Sequence, residues 1–298
     1  MYIINHRSLF FWITGIILAA ALGAILTYGL PLGIDFTGGS LMQVSYKEGR
    51  PAIATVQEKL SVLSLGTVSV REVGQDALSI RTRTQTPEEH EAILSALSAG
   101  TSVTELSYTS VGPALGSQFA TKALWAIGAV ILVIVLYIAF AFRHVSRPVP
   151  GWGYGLTVVA MLAIDIIVPT GFYAAYCHFT GAEVDSLFIV ALLSLLGYCV
   201  NDVIVIFDRI REHLAKNDRM NIKESFEETI GKSISETMTR SINTALTVVL
   251  ALLALIYLGA EATRNFALVM LVGVAAGTFS SIARSAPLLI PIAKWFNK

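Results

Sequence analysis

Two aspartates lie inside long apolar segments of this chain, where a charged side chain is energetically unfavourable. Asp202 follows Asn201 within the apolar run Ser186–Phe207, and Asp165 lies within Tyr154–Tyr176. A run of about 20 apolar residues is long enough to cross a bilayer as a helix. A carboxylate there costs several kcal/mol, so it normally faces other helices or a wet cavity. The chemistry that such a carboxylate favours is the gain and loss of a proton.

An arginine lies at a similar depth at the start of the fifth apolar run. The uninterrupted apolar part, Ala245–Leu258, is too short to cross a bilayer, so the helix is predicted to begin near Arg240. Arg240, Thr244 and Thr247 then share one helix face. A polar stripe on a spanning helix is expected to point into the helix bundle and not at lipid.

Two interpretations of these charges remain open from the residue types. Asp202 lies about 9 Å inside the cytoplasmic end of its helix, at a depth where Arg240 could pair with it. Such a pair could lock helices together, which is a structural role. Alternatively, the carboxylate exchanges a proton during transport.

Pro169 follows Asp165 by four residues and removes a helical hydrogen bond, which predicts a kink there.

The elements that must position these residues are six apolar runs. The chain is 54% hydrophobic and only 14% charged, against about 25% charged residues in soluble domains. The predicted spans are Leu9–Tyr28, Ala123–Phe142, Tyr154–Tyr176, Ser186–Phe207, a fifth containing Ala245–Leu258 and a sixth containing Phe266–Ala283. The first run is longer than the core of a signal peptide, which favours an uncleaved helix. This pattern predicts a polytopic α-helical membrane protein.

A polar segment separates the first two spans and predicts one small α+β domain. Its predicted elements are strands at Leu41–Tyr46, Thr67–Val73, Ala77–Thr84 and Thr101–Thr109, with helices at Pro51–Leu63 and from Thr86 to Ala99, before Gly100. The order βαββαβ is that of a ferredoxin-like sandwich. The predicted domains are therefore a transmembrane helix at 1–29, this α+β domain at 30–122, and transmembrane helices 2–6 at 123–298.

The distribution of Lys and Arg predicts the orientation of the spans. Basic residues concentrate at the two termini and in the loops after the second and fourth spans, and they are Arg7, Arg143, Arg147, Arg209, Arg211, Lys216, Arg219, Lys223, Lys232, Lys294 and Lys298. The two short loops on the other side, after the third and fifth spans, carry only Arg264, and the segment between the first two spans is too long for its charges to affect orientation. Both termini are therefore predicted to be cytoplasmic, and the βαββαβ domain extracytoplasmic.

Glycines mark two further features. Gly33, Asp35, Gly38 and Gly39 belong to GIDFTGG, the joint that leads into the α+β domain, and we interpret this joint as a set of tight turns and not a ligand site. On the sixth span, Gly273, Gly277 and Ser281 recur every four residues and predict a close-packing face.

Several classes of protein are disfavoured by what the sequence lacks. Neither GIDFTGG nor the second glycine-rich joint, VGPALG at 111–116, has the form of a phosphate loop, so no nucleotide cofactor and no nucleotide hydrolysis are expected. Cys177 and Cys199 lie in or beside apolar runs without metal-ligand spacing, so no metal site is predicted. The formal net charge is zero, with no basic tail that would favour nucleic acid.

Four motifs together resemble the SecD/SecF family of protein-export membrane proteins, in particular its SecF members. They are GIDFTGG at 33–39, VNDVIVIFDRIRE at 200–212, TRSINTALTVVL at 239–250 and FALVMLVGVAAGTFSSI at 266–282. The resemblance covers nearly the whole chain and implies a half-transporter of the resistance-nodulation-division type. It implies a SecD-like partner, exported preproteins leaving the SecYEG channel as substrate, and proton movement across the cytoplasmic membrane.

The resemblance also assigns roles to residues. It implies a proton relay of Asp202 and Arg240, with Asp165 as the third-helix aspartate and Asn201, Thr244 and Thr247 as supporting polar groups. Two positions depart from the family pattern. Ile164 stands where a histidine often precedes the third-helix aspartate, and Arg284 stands where an apolar residue is usual; its spacing from Arg264 favours a place at the cytoplasmic interface.

Three functions remain open from the sequence. The first is a subunit, not an enzyme, that promotes protein export with the proton motive force. The second is a small-molecule efflux transporter, against which the small size of the α+β domain argues. The third is a structural subunit of the translocon, in which Asp202 and Arg240 would matter for assembly alone.

Overall fold

The computed structural model describes residues 2–46, 49–63, 65–73, 76–99, 102–143 and 148–296. Gly100, Thr101, Arg147 and Lys298, which entered the predictions above, lie outside the described residues. The chain divides into two compact units. The first is Met1–Leu30, Trp125–Phe179 and Leu187–Lys298, and the second is Pro31–Leu124 and Thr180–Ser186. The assignment of Thr180–Ser186 to the second unit had no signal in the sequence.

Helices and strands follow one another along the chain. They are α1 (Tyr2–Asn5), α2 (Arg7–Tyr28), α3 (Ile34–Thr37), β1 (Gly39–Tyr46), α4 (Ile53–Ser61), β2 (Ser69–Val73), β3 (Ala77–Thr82), α5 (Pro87–Ser98), β4 (Val103–Val111), α6 (Pro113–Ala141), α7 (Gly151–Thr180), α8 (Ser186–Arg219), α9 (Phe226–Leu258), α10 (Glu261–Ser280), a π-helical turn (Ser281–Ser285) and α11 (Ala286–Phe296).

Six helical stretches among the described residues are long and apolar enough to cross a membrane. They are α2, α6, α7, α8, α9 and the continuous stretch Thr263–Phe296, which includes the π-helical turn. The prediction of a polytopic helical membrane protein is therefore confirmed. Pro169 lies inside α7, which continues as one helix to Thr180.

The C-terminal end of α8 and the N-terminal end of α9 both extend beyond the predicted spans. α9 begins at Phe226 and not near Arg240, because Ser225 and Glu228 form a reciprocal capping box at its start. Glu236 in this added part of α9 accepts hydrogen bonds from Arg209 and from His213 Nε2, the latter at 3.0 Å. These contacts between α8 and α9 explain why both helices continue beyond their apolar runs.

The core of the helical unit is centred on α7 and α8. Phe142 and Tyr154 stack with ring centroids 5.1 Å apart, and Phe207 packs edge-on against Tyr154 at 5.2 Å. All three side chains are fully buried. In contrast, few residues of α2 and α6 are buried within the chain. The residues of α7 and α8 are therefore the ones that this unit can shield most completely from lipid.

The second unit contains a four-stranded antiparallel sheet in the order β2-β3-β1-β4. This order and the sequence βαββαβ agree with the predicted sandwich. Alternate residues of the strands, such as Met42 and Ile80, are buried against Leu60 of α4 and Ile93 of α5. The sheet therefore buries one face under the two helices.

A complete capping box begins α5. Thr86 Oγ1 accepts from the Glu89 amide at 3.3 Å, and the Thr86 amide donates to Glu89 Oε2 at 3.0 Å. We expect Thr86→Ala to destabilise α5 by about 1 kcal/mol, with faster hydrogen exchange of its amides in the full chain. Thr86→Ser keeps the acceptor oxygen, and exchange as fast as in Thr86→Ala would contradict the prediction.

The same cap has a pH dependence with a defined sign. Hydrogen bonds from Arg83 and from the Thr86 amide lower the pKa of the Glu89 carboxyl. A lowered pKa in the folded state stabilises the fold above the ordinary glutamate pKa, and this contribution is lost as the pH falls through the lowered value. The protection of α5 amides should therefore decline on acidification in the parent chain and decline less in Glu89→Gln, where the neighbouring Glu88 carboxyl, whose pKa is also lowered, still titrates.

Candidate functional site

Asp202 joins three helical segments in the first unit. Its carboxylate projects from α8 and is partly buried. One oxygen, Oδ1, accepts a hydrogen bond from Ser241 of α9, and the other, Oδ2, accepts from Ser281 of the π-helical turn. Both serines are almost completely buried. The charged atoms of Asp202 are therefore held by two hydroxyl groups.

The choice of serine as partner determines what this carboxylate can do. A hydroxyl can donate to an ionised carboxylate, and it can equally accept from a protonated one. Ser281 also has the Thr278 carbonyl within 3.0 Å as a second acceptor for its proton. Either protonation state of Asp202 can thus be satisfied by rotating hydroxyl groups. An arginine partner would favour the ionised state alone.

A second pair of opposite charges lies close to the first site. Asp165 of α7 is 2% exposed and Arg284 of the π-helical turn is 4% exposed. The two side chains attract each other, while the carboxylates of Asp165 and Asp202 repel. The structure therefore buries Arg284 among the helices, where Asp165 provides a counter-charge.

The π-helical turn positions two of these residues on one segment. Ser281 and Arg284 both belong to it, and Ser285 donates to the Ser281 carbonyl within the same turn. A π turn inserts an extra residue into a helix and is frequent at functional sites. Here it brings a hydroxyl to Asp202 and a guanidinium to the neighbourhood of Asp165.

The glycine face of α10 lets this helix approach α8. A Cβ atom at Gly273 would lie 2.2 Å from Leu195 Cδ1, and one at Gly277 would lie 2.4 Å from Cys199 Sγ and 4.0 Å from Asp165 Cγ. Larger residues at these positions would therefore separate α8, which carries Asp202, from the helix that leads to Ser281.

Gly277 provides a test of this close approach. We expect Gly277→Ala to destabilise the helical unit by about 1–3 kcal/mol through overpacking against Cys199, measured as thermal stability in detergent. Adding Cys199→Ala should restore most of the loss, because the Cys199 Cβ would remain 3.7 Å away. Gly128→Ala on α6, where no atom lies within 4 Å, is the matched control. Equal effects at the two glycines would contradict the prediction.

Apart from Asp165, the predicted relay and supporting residues do not gather around Asp202 in this chain. Arg240, Thr244 and Thr247 are exposed on α9, and Asn201 is exposed on α8. The hydroxyls of Thr244 and Thr247 bond to carbonyls of their own helix. The expectation that this stripe points into the bundle is therefore wrong for the chain by itself, because Ser241 occupies the inward position on α9.

Sequence reasoning missed Ser241 as a partner and considered Ser281 only as a packing residue. Ser241 follows Arg240 directly in the motif TRSINT, so it lies about 100° around the helix from the arginine. A search for hydroxyl residues on the helix face next to the stripe could have found it. The sequence indicates Arg284 only as a departure from the family pattern and does not predict its proximity to Asp165.

The glycines of the entry joint serve the second unit. Gly38 and Gly39 have positive φ angles of 74° and 124°, which favour glycine. A Cβ atom at Gly38 would lie 2.7 Å from Pro113 Cα, and one at Gly39 would lie 2.7 Å from the Thr82 carbonyl oxygen. These two positions therefore form a tight turn, as the sequence predicted.

Comparison with known proteins places these features in a family. The family model described as Protein export membrane protein SecD/SecF, C-terminal, matches residues 91–295, and the SecD/SecF GG Motif model matches residues 23–49. The chain belongs to the SecD/SecF family. Curated SecD/SecF relatives include the protein translocase subunits SecF of Thermobaculum terrenum and Anaerolinea thermophila, both 35% identical. These alignments cover 99% and 97% of this chain, and 94% and 92% of the relatives.

Solved structures of the SecD/SecF family have the same fold. SecDF from Thermus thermophilus, titled a translocon-associated membrane protein, matches all of this chain with a TM-score of 0.83 and 27% identity. SecDF in a super-membrane-facing form matches 99% of this chain with a TM-score of 0.66. This chain covers only 39% and 38% of those two longer chains.

Proposed function

We propose that this chain is a SecF-like subunit of the accessory complex of the Sec protein translocase. In this role it promotes export of preproteins across the cytoplasmic membrane with the proton motive force, and it carries out no catalysis of its own. The observation that carries the proposal is Asp202 between Ser241 and Ser281. This carboxylate lies on a spanning helix, and its serine neighbours can form hydrogen bonds with it in both the ionised and the protonated state.

A SecD-like subunit is the partner that the exposed polar residues favour. Asn201, Arg240, Thr244 and Thr247 are exposed in this chain although they lie on spanning helices. Polar groups in a bilayer are expensive when they face lipid. They would be shielded if a SecD-like chain packed on α8 and α9, which would also bring Arg240 into a shared relay with Asp202 and Asp165.

The orientation follows from the same proposal. Both termini would be cytoplasmic and the βαββαβ unit extracytoplasmic, where it would contact preproteins as they leave SecYEG. Each proton that crosses a potential of 100 mV supplies about 2.3 kcal/mol. This energy would drive the conformational changes of the extracytoplasmic unit.

A structural role in the translocon is the second candidate, and one observation favours it. The bonds of Asp202 join α8, α9 and the π-helical turn, so they stabilise the bundle even without a proton cycle. This candidate predicts that neutral substitutions at Asp202 change assembly and not the rate of export.

The proposal is tested by an export time course in cells that lack their own SecF-like subunit. Expression of this chain with its SecD-like partner should restore the fast phase of preprotein export. A protonophore should abolish that gain and leave the slow phase unchanged. Restoration that persists with the protonophore would contradict a role for the proton motive force, and no restoration by an assembled complex would contradict the function.

A further inference from the structure

The loop between α7 and α8 is bound to the entry joint within the second unit. Leu32 and Val184 form an isolated parallel bridge, in which the Gly33 amide donates to the Val184 carbonyl at 2.8 Å and the Val184 amide donates to the Pro31 carbonyl at 2.8 Å. A Cβ atom at Gly33 would lie 2.8 Å from the Val184 oxygen. The two segments therefore pair through their backbones and leave no room for a side chain at position 33.

Asp35 extends this contact to the first residue of α8. Its Oδ2 accepts a hydrogen bond of 2.7 Å from the amide of Ser186, where α8 begins. The first amides of a helix have no partner within the helix, and a carboxylate that accepts from one of them stabilises the helix start. Asp35 is distant in sequence from α8 but acts as its cap.

Two arginines of the sheet complete the attachment. Arg81 of β3 forms an ion pair with Glu183 at 2.8 Å and donates to Thr37 Oγ1 of the entry joint at 2.7 Å. Arg71 of β2 pairs with the same carboxylate at 3.1 Å and donates to the Gly181 carbonyl. The sheet, the entry joint and the loop are thus held together by side chains from both β2 and β3.

We propose that Asp35 is a positioning residue that couples the βαββαβ unit to the helix carrying Asp202. This inference rests on the proposed function. Ser186 belongs to the second unit, yet it is also the first residue of the continuous helix α8. Asp202 follows Ser186 along that helix by about 24 Å. A displacement of α8 that accompanies proton exchange at Asp202 is therefore transmitted to the sheet through the Asp35 cap and the Leu32–Val184 bridge.

The first measurement tests the attachment itself by hydrogen exchange in the full chain with its SecD-like partner. Asp35→Ala should accelerate exchange of the Ser186 amide at least tenfold, and that of the Gly33 and Val184 amides several-fold. Asp35→Asn keeps an acceptor oxygen and should remain close to the parent. Asp76→Ala removes an exposed carboxylate of the same unit and is the matched control. Unchanged exchange at Gly33 and Val184 in Asp35→Ala would overturn the proposal, whatever the chain does in export.

The second measurement separates coupling from a merely structural role. In vesicles containing the assembled complex and the translocon, Asp35→Ala should reduce the proton-driven gain in export at least fivefold while proton flux through the complex persists. Asp35→Asn should restore the export gain. Loss of proton flux together with export, or an export gain equal to that of Asp76→Ala, would overturn the proposal. Failure of the proposed function would instead appear as a parent complex without any proton-dependent gain.

Discussion

Replacement of Asp202 by asparagine should abolish the proton-driven gain in export while the complex still assembles. The amide of asparagine can accept from one serine and donate to the other, so the contacts with Ser241 and Ser281 can be kept. What is lost is the ability to bind and release a proton. At 100 mV a single proton is worth about 2.3 kcal/mol, which is about a 50-fold shift in a conformational equilibrium.

The measurement is the rate of preprotein export in cells or vesicles, together with the yield of the purified complex. Asp208→Asn is the matched control, because Asp208 lies on the same helix, is exposed and pairs with Arg211. A normal export rate in Asp202→Asn would refute a proton-coupled role for this residue. A complex that dissociates would favour the structural candidate, in which the Asp202 bonds hold the helices together.

The buried charges Asp165 and Arg284 should depend on each other for stability. Removing one charge of a buried pair leaves the other uncompensated and typically costs about 3–5 kcal/mol. We therefore expect Asp165→Asn and Arg284→Met each to lower the free energy of unfolding by about this amount. The double variant removes both charges and should regain most of it, although the proton-driven gain in export would change if Asp165 belongs to the relay.

A double-mutant cycle measures this dependence as thermal or denaturant-induced unfolding of the complex in detergent. The two side chains are both buried in the helical unit and attract each other, so a coupling energy well above about 1 kcal/mol is expected. Additive losses in the double variant would contradict the pairing. The control cycle combines Arg284→Met with Asp208→Asn, which lies outside this charge cluster and should show no coupling.

The sequence predicted the helical spans and the βαββαβ order because both depend on local patterns. Apolar runs of spanning length are determined by the thickness of the bilayer, and the cap at Thr86 is recognisable from three neighbouring residue types. The limits of α8 and α9 were less predictable. Their extensions depend on contacts of Glu236 with Arg209 and His213, which join residues of two different helices.

The sequence alone indicates that Asp202 and Asp165 lie on helices long and apolar enough to cross a membrane, since that follows from the residues around each of them. What surrounds these carboxylates depends on the tertiary structure. It placed Ser241 and Ser281 on Asp202, turned Arg240 outward and buried Arg284 near Asp165. The partners of a side chain depend on how helices rotate and approach one another. A π-helical turn changes that rotation in a way that the periodicity of the sequence does not record.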